Sequence, residues 1–334
     1  MYPNPRTALP RHAAPSNRTS QVSSVLPANV HVPGRDVLKD LFRQHLKAFV
    51  INSAMGYPSR LSLRFDILSD SPSLFELIAA SPRLVDLELI PSESPPPSVL
   101  ALVEFLDHLD RLERLSLPGE ALCAEIHQRL AQLPSLRELH VDAKTTKISN
   151  RFSTANPNDF RALETVQVTG YLLDLAKVVR ACSHRSTTTI RRIRVETSAL
   201  SHEKELHDTL KVLLEYCPEV EELEIVINGL NEKEDFRWMA LSLLTRFKEL
   251  RKFVIEHPRP LPLADDFIER LLEGWPRARH ISLNPRPTFP SYSTSPRDAP
   301  PLPTSDCLRF FDKRAGLDHY GIYLKSSGPV IREM

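Results

Sequence analysis

Glycine is scarce in this 334-residue chain, at nine residues, and no two glycines lie two apart. A G-x-G-x-x-G dinucleotide loop is therefore impossible. Gly316 and Gly321 have P-loop spacing, but Ile322 stands where the lysine would be, so phosphate-cradling loops are excluded. Cysteine is scarcer still: Cys123, Cys182, Cys217 and Cys307 are widely separated and form no C-x-x-C pair. They are expected to be reduced and mostly buried in an intracellular protein, cytoplasmic or nuclear. Neither sign of charge is in excess. Forty-three Lys+Arg against 42 Asp+Glu leave +1, which removes any global electrostatic case for nucleic acid or membrane binding. No apolar run approaches the roughly 20 residues that span a bilayer. The N-terminus lacks the short apolar core of a secretory signal, so the sequon Asn17-Arg18-Thr19 carries no weight.

Catalytic patterns are equally thin. No G-x-S-x-G is present, and no spacing of histidines and acids selects a general acid/base pair. His202-Glu-Lys-Glu-Leu-His207 resembles a zinc helix at first glance. Its histidines are five apart, about 140° round a helix, whereas a metalloprotease helix needs them four apart. Cys182-Ser-His184 is expected to be structural. The expectation is a protein that is not an enzyme, with no catalytic residue, no metal ligand and no cofactor.

What is present is a repeat. An apolar position, another three on and another five on recur as Leu84/Leu87/Leu89, Leu112/Leu115/Leu117, Leu136/Leu139/Val141, Leu163/Val166/Val168 and Ile190/Ile193/Val195. Val220/Leu223/Ile225, Leu250/Phe253/Ile255 and Ala278/Ile281/Leu283 follow. The first positions step by 28, 24, 27, 27, 30, 30 and 28 residues. Weaker copies are Leu63/Phe65 at the front and Leu317/Tyr320/Ile322 at the back. An L-x-x-L-x-L core at such a period is the signature of a leucine-rich-repeat solenoid. The fourth and sixth residues lie two apart on a strand and share one face, which a single strand cannot bury but a stack can.

Helical periodicity fills the intervals at Val99–Leu109, Ala121–Leu133, Leu172–Ala181, Leu206–Tyr216 and Phe267–Leu272. Strands alternating with helices predict an α/β fold, an irregular horseshoe with a parallel sheet on one side and helices on the other. Pro82, Pro134, Pro218 and Pro276 each stand two residues before a first apolar position, where proline ends a helix.

One solenoid domain is expected over 36–325. Residues 1–35, with six prolines and no periodicity, are expected to be disordered. Residues 36–50 predict a capping helix with Asp36 as its N-cap. A first strand is expected at Arg60–Asp66, a helix near Ser73–Ala80, and loops at Pro91–Ser98 and Lys144–Asp159. The step from Ala278 to Leu317 is 39 residues, so a Pro-rich insertion is expected at about 284–306. Residues 326–334 are left as a C-terminal tail.

Ser81-Pro-Arg-Leu-Val-Asp-Leu-Glu-Leu89, Leu133-Pro-Ser-Leu-Arg-Glu-Leu139 and Cys217-Pro-Glu-Val-Glu-Glu-Leu223, with a leading helix running into Pro58-Ser-Arg-Leu-Ser-Leu63, resemble the repeat half of fungal F-box/leucine-rich-repeat proteins. That resemblance implies a substrate-recognition module of a ubiquitin ligase, in which an F-box docks on the cullin-ligase adaptor. The chain departs from the pattern. Leu26-Pro27 continues as Ala-Asn-Val-His-Val-Pro, and neither Trp238 nor Trp275 is near. The F-box is then either lost or upstream of this start. The family's asparagine ladder is also missing, Asn228 alone holding the ninth position.

Alternation turns the third and fifth residues of each strand away from the core. These columns give a candidate protein-binding face of Arg114, Glu138, His140, Gln167, Arg192, Arg194, Glu222, Glu224, Lys252 and His280. The competing reading is that Asp86–Arg114–Glu138 and Arg192–Glu222–Lys252, alternating in sign, pair with one another. Arg191-Arg192-Ile-Arg194 is the densest basic spot and is expected to balance Glu222 and Glu224. A monomer with protein partners is expected; a stand-alone scaffold or inhibitor without a ligase is the alternative.

Overall fold

The computed structural model describes residues 60–64, 84–90, 99–144, 148, 159–184, 189–198, 203–229, 239–288, 302–325 and 328–333. All belong to the second of the two units into which the chain divides, Leu46–Met334. The expected N-terminal segment 1–35, the helices at 36–50 and 73–80, the loop 91–98, most of the loop 144–159 and residues 289–301 of the insertion lie outside the described residues.

Eleven strands form one sheet in strict chain order: β1 (Arg60–Arg64), β2 (Asp86–Ile90), β3 (Arg114–Pro118), β4 (Glu138–Asp142), β5 (Thr165–Gly170), β6 (Arg192–Thr197), β7 (Glu222–Ile227), β8 (Lys252–Glu256), β9 (His280–Leu283), β10 (His319–Leu324) and β11 (Gly328–Glu333). Neighbours from β1 to β10 pair in parallel, and β11 alone is antiparallel. Among the described residues the helices are α1 (Val99–Leu106), α2 (Ala124–Gln132), α3 (Leu172–Cys182), α4 (Glu203–Tyr216), α5 (Asp265–Gly274) and α6 (Leu308–Asp312), with 3-10 segments at Gly119–Ala121, Met239–Arg246 and Ser305–Cys307. The fold is therefore α/β with a mostly parallel sheet.

The register follows the repeat residue by residue. Leu87, Leu115, Leu139, Val166, Ile193, Leu223, Phe253, Ile281 and Tyr320 are successive cross-strand partners. All are buried in one core with the inner faces of the helices. A backbone clip repeats with them. The carbonyl of each second position accepts two amides of the next unit, as Glu221 O does from Arg251 N at 2.7 Å and Lys252 N at 3.0 Å. Val85, Glu113, Arg137, Glu164, Arg191, Arg251 and Arg279 do the same.

Proline placement has a local cause. Val220 N donates to Cys217 O at 3.3 Å, and Ala278 N to Trp275 O at 3.2 Å. Pro218 and Pro276 thus occupy the second residue of four-residue turns, where a fixed φ is favourable. The same turn closes without proline at Leu109–Leu112, Phe160–Leu163 and Phe247–Leu250. The turn's first residue is buried, Trp275 completely so. Its ring lies 5.1 Å from Phe253, and its Nε1–H donates to Leu244 O at 2.8 Å, so burial leaves no polar atom unpaired.

Several elements differ from the sequence pattern. Leu61 and Leu63 pair with Leu87 and Leu89, so the front copy is Leu61/Leu63, two residues earlier than Leu63/Phe65. A single weak copy cannot fix a register whose period is two. Strand β11 occupies most of the segment expected as a tail, and Val330 packs on the core. Met239–Arg246 fills the helix position between β7 and β8 as 3-10 turns. The end of the expected insertion is structured: Ser305–Cys307 runs into α6, and Phe311 stacks on Tyr320 at 4.6 Å. Among the described residues no helix is long and apolar enough to cross a membrane.

Candidate interaction face

Strand alternation buries the fourth and sixth positions and leaves the third, fifth and seventh on the opposite, open face of the sheet. Unbroken register lines these positions into rows. The third-position row runs Asp86, Arg114, Glu138, Thr165, Arg192, Glu222, Lys252, His280, His319. All ten candidate residues therefore come together on one surface.

Most of its charges are paired within it. Asp86, itself nearly buried, receives Arg60 at 3.4 Å and Arg114 at 3.1 Å. Arg192 does not meet Glu222. It reaches back over Thr165 to Glu138 at 3.9 Å and to Glu164 at 3.7 Å. Glu224 is gripped from both sides, by Arg194 at 3.4 Å and by Lys252, and Arg191 pairs with Glu219 at 2.5 Å. The basic run is thus neutralised, with the partner exchanged for Arg192. Glu222 forms no ion pair with any described cation, and Gln167 makes no hydrogen bond through its side chain among the described residues.

The neutral centre is a hydrogen-bonded hub. A 3.0 Å hydrogen bond joins Ser116 Oγ to His140 Nδ1, and another of 3.1 Å joins His140 Nε2 to Thr169 Oγ1. Burial holds the His140 imidazole below its ordinary value of 6.5, against the opposing pull of Asp142, Glu88 and Glu196. A neutral ring donates at one nitrogen and accepts at the other, which suits this chain of two hydroxyls. Ser116 beside His140 has the contact of a nucleophile and its base. The three surrounding carboxylates oppose the oxyanion that such chemistry generates. Farther along, His280 stacks on His319 with ring centres 4.3 Å apart and planes at 9°. Its pKa is lowered by burial first, then by His319 and Lys252.

Thr169 and His319 were not among the sequence candidates. Both carry a readable signal: Thr169 is a seventh-position residue, and His319 continues the third-position row into the last unit. Asn228, the single match to the asparagine ladder, is exposed and donates to Glu196 at 3.0 Å. The buried asparagine is Asn284, with φ +54°. Its side chain accepts from His257 N at 3.1 Å and donates to Arg259 O at 2.6 Å. Asparagine is among the few residues that tolerate this backbone, and here it ties one strand end to the preceding loop.

Cys182 and Cys307 lie in the packed core. Burial pushes up the Cys182 thiol, and Cys307 is pushed up to about 12 by burial, then Asp265 and Asp306. His207 contacts Asp208 at 3.4 Å, and its expected counterpart His202 lies outside the described residues. Among the described residues no three His, Cys, Asp or Glu side chains converge to hold a metal. No protein-family model matches the sequence, and no curated protein matches it.

Proposed function

We propose that the chain is a leucine-rich-repeat-like solenoid, irregular in its repeats, whose open sheet face recognises a protein and which performs no catalysis of its own. One observation carries the reading: the unbroken register from β2 to β10, which turns the third and fifth residues of nine strands onto a single polar surface opposite the core. Varying such a surface costs less fold stability than varying the core, because its side chains stand outside the packed cluster. Resemblance to F-box/leucine-rich-repeat proteins gives the role, substrate recognition for a ubiquitin ligase. A stand-alone scaffold or inhibitor uses the same face without a ligase.

A photo-crosslinking amino acid at Gln167, at the centre of the face, tests the binding reading against the same probe at Lys211, exposed on α4. A defined partner captured from Gln167 and not from Lys211 is expected; capture from both or from neither overturns it. Pull-down with purified cullin-ligase adaptor separates the two roles. Adaptor binding by the chain, or by an upstream-extended version found in transcripts, supports the ligase subunit; binding by neither supports the scaffold.

A further inference from the structure

We propose that the open face between β4 and β8 docks an extended basic segment in the polyproline II conformation, with lysine or arginine at every third residue. The inference rests on the reading that this face binds a protein, and it specifies that partner's chemistry.

Charge supplies the first argument. The face cations Arg114, Arg192, Arg194 and Lys252 are each committed to a carboxylate of the protein itself. The seventh-position acids Asp142, Glu196 and Glu256 form no ion pair with any described cation. Asp142 accepts only the backbone amide of Lys144, at 3.1 Å, and Glu196 only the Asn228 amide. What the face leaves uncompensated is negative, so its complement is positive, and a nucleic acid backbone is repelled.

Spacing supplies the second. The register aligns Asp142, Thr169, Glu196, Val226 and Glu256 as successive cross-strand partners. The acids therefore stand on β4, β6 and β8, every second strand. Strands lie about 4.7–4.9 Å apart, which separates the acids by about 9.5 Å. A polyproline II helix repeats every three residues and rises about 3.1 Å per residue, so its i, i+3 and i+6 side chains share a side at about 9.3 Å. A β-strand peptide, repeating on one side every two residues at about 6.7 Å, does not match.

The ground between the acids supplies the third. Val226 and Val254, half-buried on adjacent strands, give an apolar spot beside Glu196 and Glu256. Proline rings between the basic residues would cover it, and such a helix enters the complex already ordered.

The test is fluorescence anisotropy at low ionic strength with the full chain. One labelled peptide repeats Lys-Pro-Pro three times and ends in lysine; the other has the same composition with its lysines contiguous. The spaced peptide should bind more tightly. The triple variant Asp142→Asn/Glu196→Gln/Glu256→Gln, melting as the wild type does, should weaken it roughly tenfold. Should the triple variant not fold, Glu256→Gln alone, at an exposed side chain, should still weaken the spaced peptide measurably. Equal affinity for both peptides, unchanged affinity in the variants, or no binding of either overturns the inference. Capture at Gln167 of a partner lacking a spaced basic segment would sink it too, while leaving the binding reading intact.

Discussion

Replacing Leu223 by aspartate places the sharpest demand on the repeat. Leu223 is fully buried on β7, between its register partners Ile193 and Phe253. Removing the side chain forfeits about 2–3 kcal/mol of burial. The carboxylate arrives with no partner and must take up a proton or draw in water, at a cost of several kcal/mol more. The sum is comparable with the roughly 5–15 kcal/mol that holds a typical domain together. Because each unit is stabilised by its neighbours, the damage should not stay local. Urea unfolding followed by far-ultraviolet circular dichroism at pH 7 should show the cooperative transition lost in Leu223→Asp. Glu222→Ala is the matched control: one residue away, half-buried, on the open face and in no ion pair with any described cation. It should stay within about 0.5 kcal/mol of wild type. Glu224→Ala is a poorer control, because Glu224 bridges Arg194 and Lys252 and should cost about 1 kcal/mol. Equal losses from Leu223→Asp and Glu222→Ala, or the reverse order, would refute the assignment of faces.

Gly274→Ala should lower the stability measured by urea unfolding by about 1–3 kcal/mol, although alanine favours helix, because its Cβ would stand 2.8 Å from Thr245 Cα in the adjacent segment. An unchanged or raised midpoint would contradict that close approach. Lys177→Met should destabilise by about 3 kcal/mol, since it strips the buried Asp174 of its 3.0 Å partner and frees the Ile148 carbonyl held at 2.8 Å. Adding Asp174→Leu in the same chain should recover part of the loss. For pH, burial depresses the imidazoles of His127, His140, His257 and His280 below 6.5. The unfolded chain then binds more protons, so their contribution is complete above about pH 6.5 and is lost as pH falls through the lower folded values. Melting temperature should fall between pH 7 and pH 5, with a shallower slope in His140→Gln; an equal slope would remove His140 from the cause.

The architecture was legible because it is written eight times over. Leu87, Leu139, Ile193 and Leu223 each repeat the same demand, and strand pairing has one way to satisfy them together. Legibility failed where repetition failed. Leu61/Leu63 and Leu63/Phe65 satisfy the pattern equally well in isolation, and pairing with Leu87 and Leu89 decided between them. Val330 belongs to no repeat, so nothing in the spacing announced β11. Membership of the open face was readable from alternation. The pairings on it were not, since Arg192 is long enough to reach Glu138 two strands away as well as Glu222 beside it. Asn228 satisfied a positional rule that the backbone did not use; Asn284, at a strand end with φ +54°, took the buried role.

The reversal of direction at β11 changes what the last edge of this sheet presents. Nine strands, β1 to β9, each pair with the next in parallel, and such a series has no internal reason to stop. β11 offers an antiparallel template instead, with Pro329, Arg332 and Glu333 exposed along it. A proline that cannot donate and charges that resist burial make a poor landing site for another strand. The last hairpin packs Val330 on the core and sets a proline and two charges along β11, features that disfavour sheet growth from one molecule into the next.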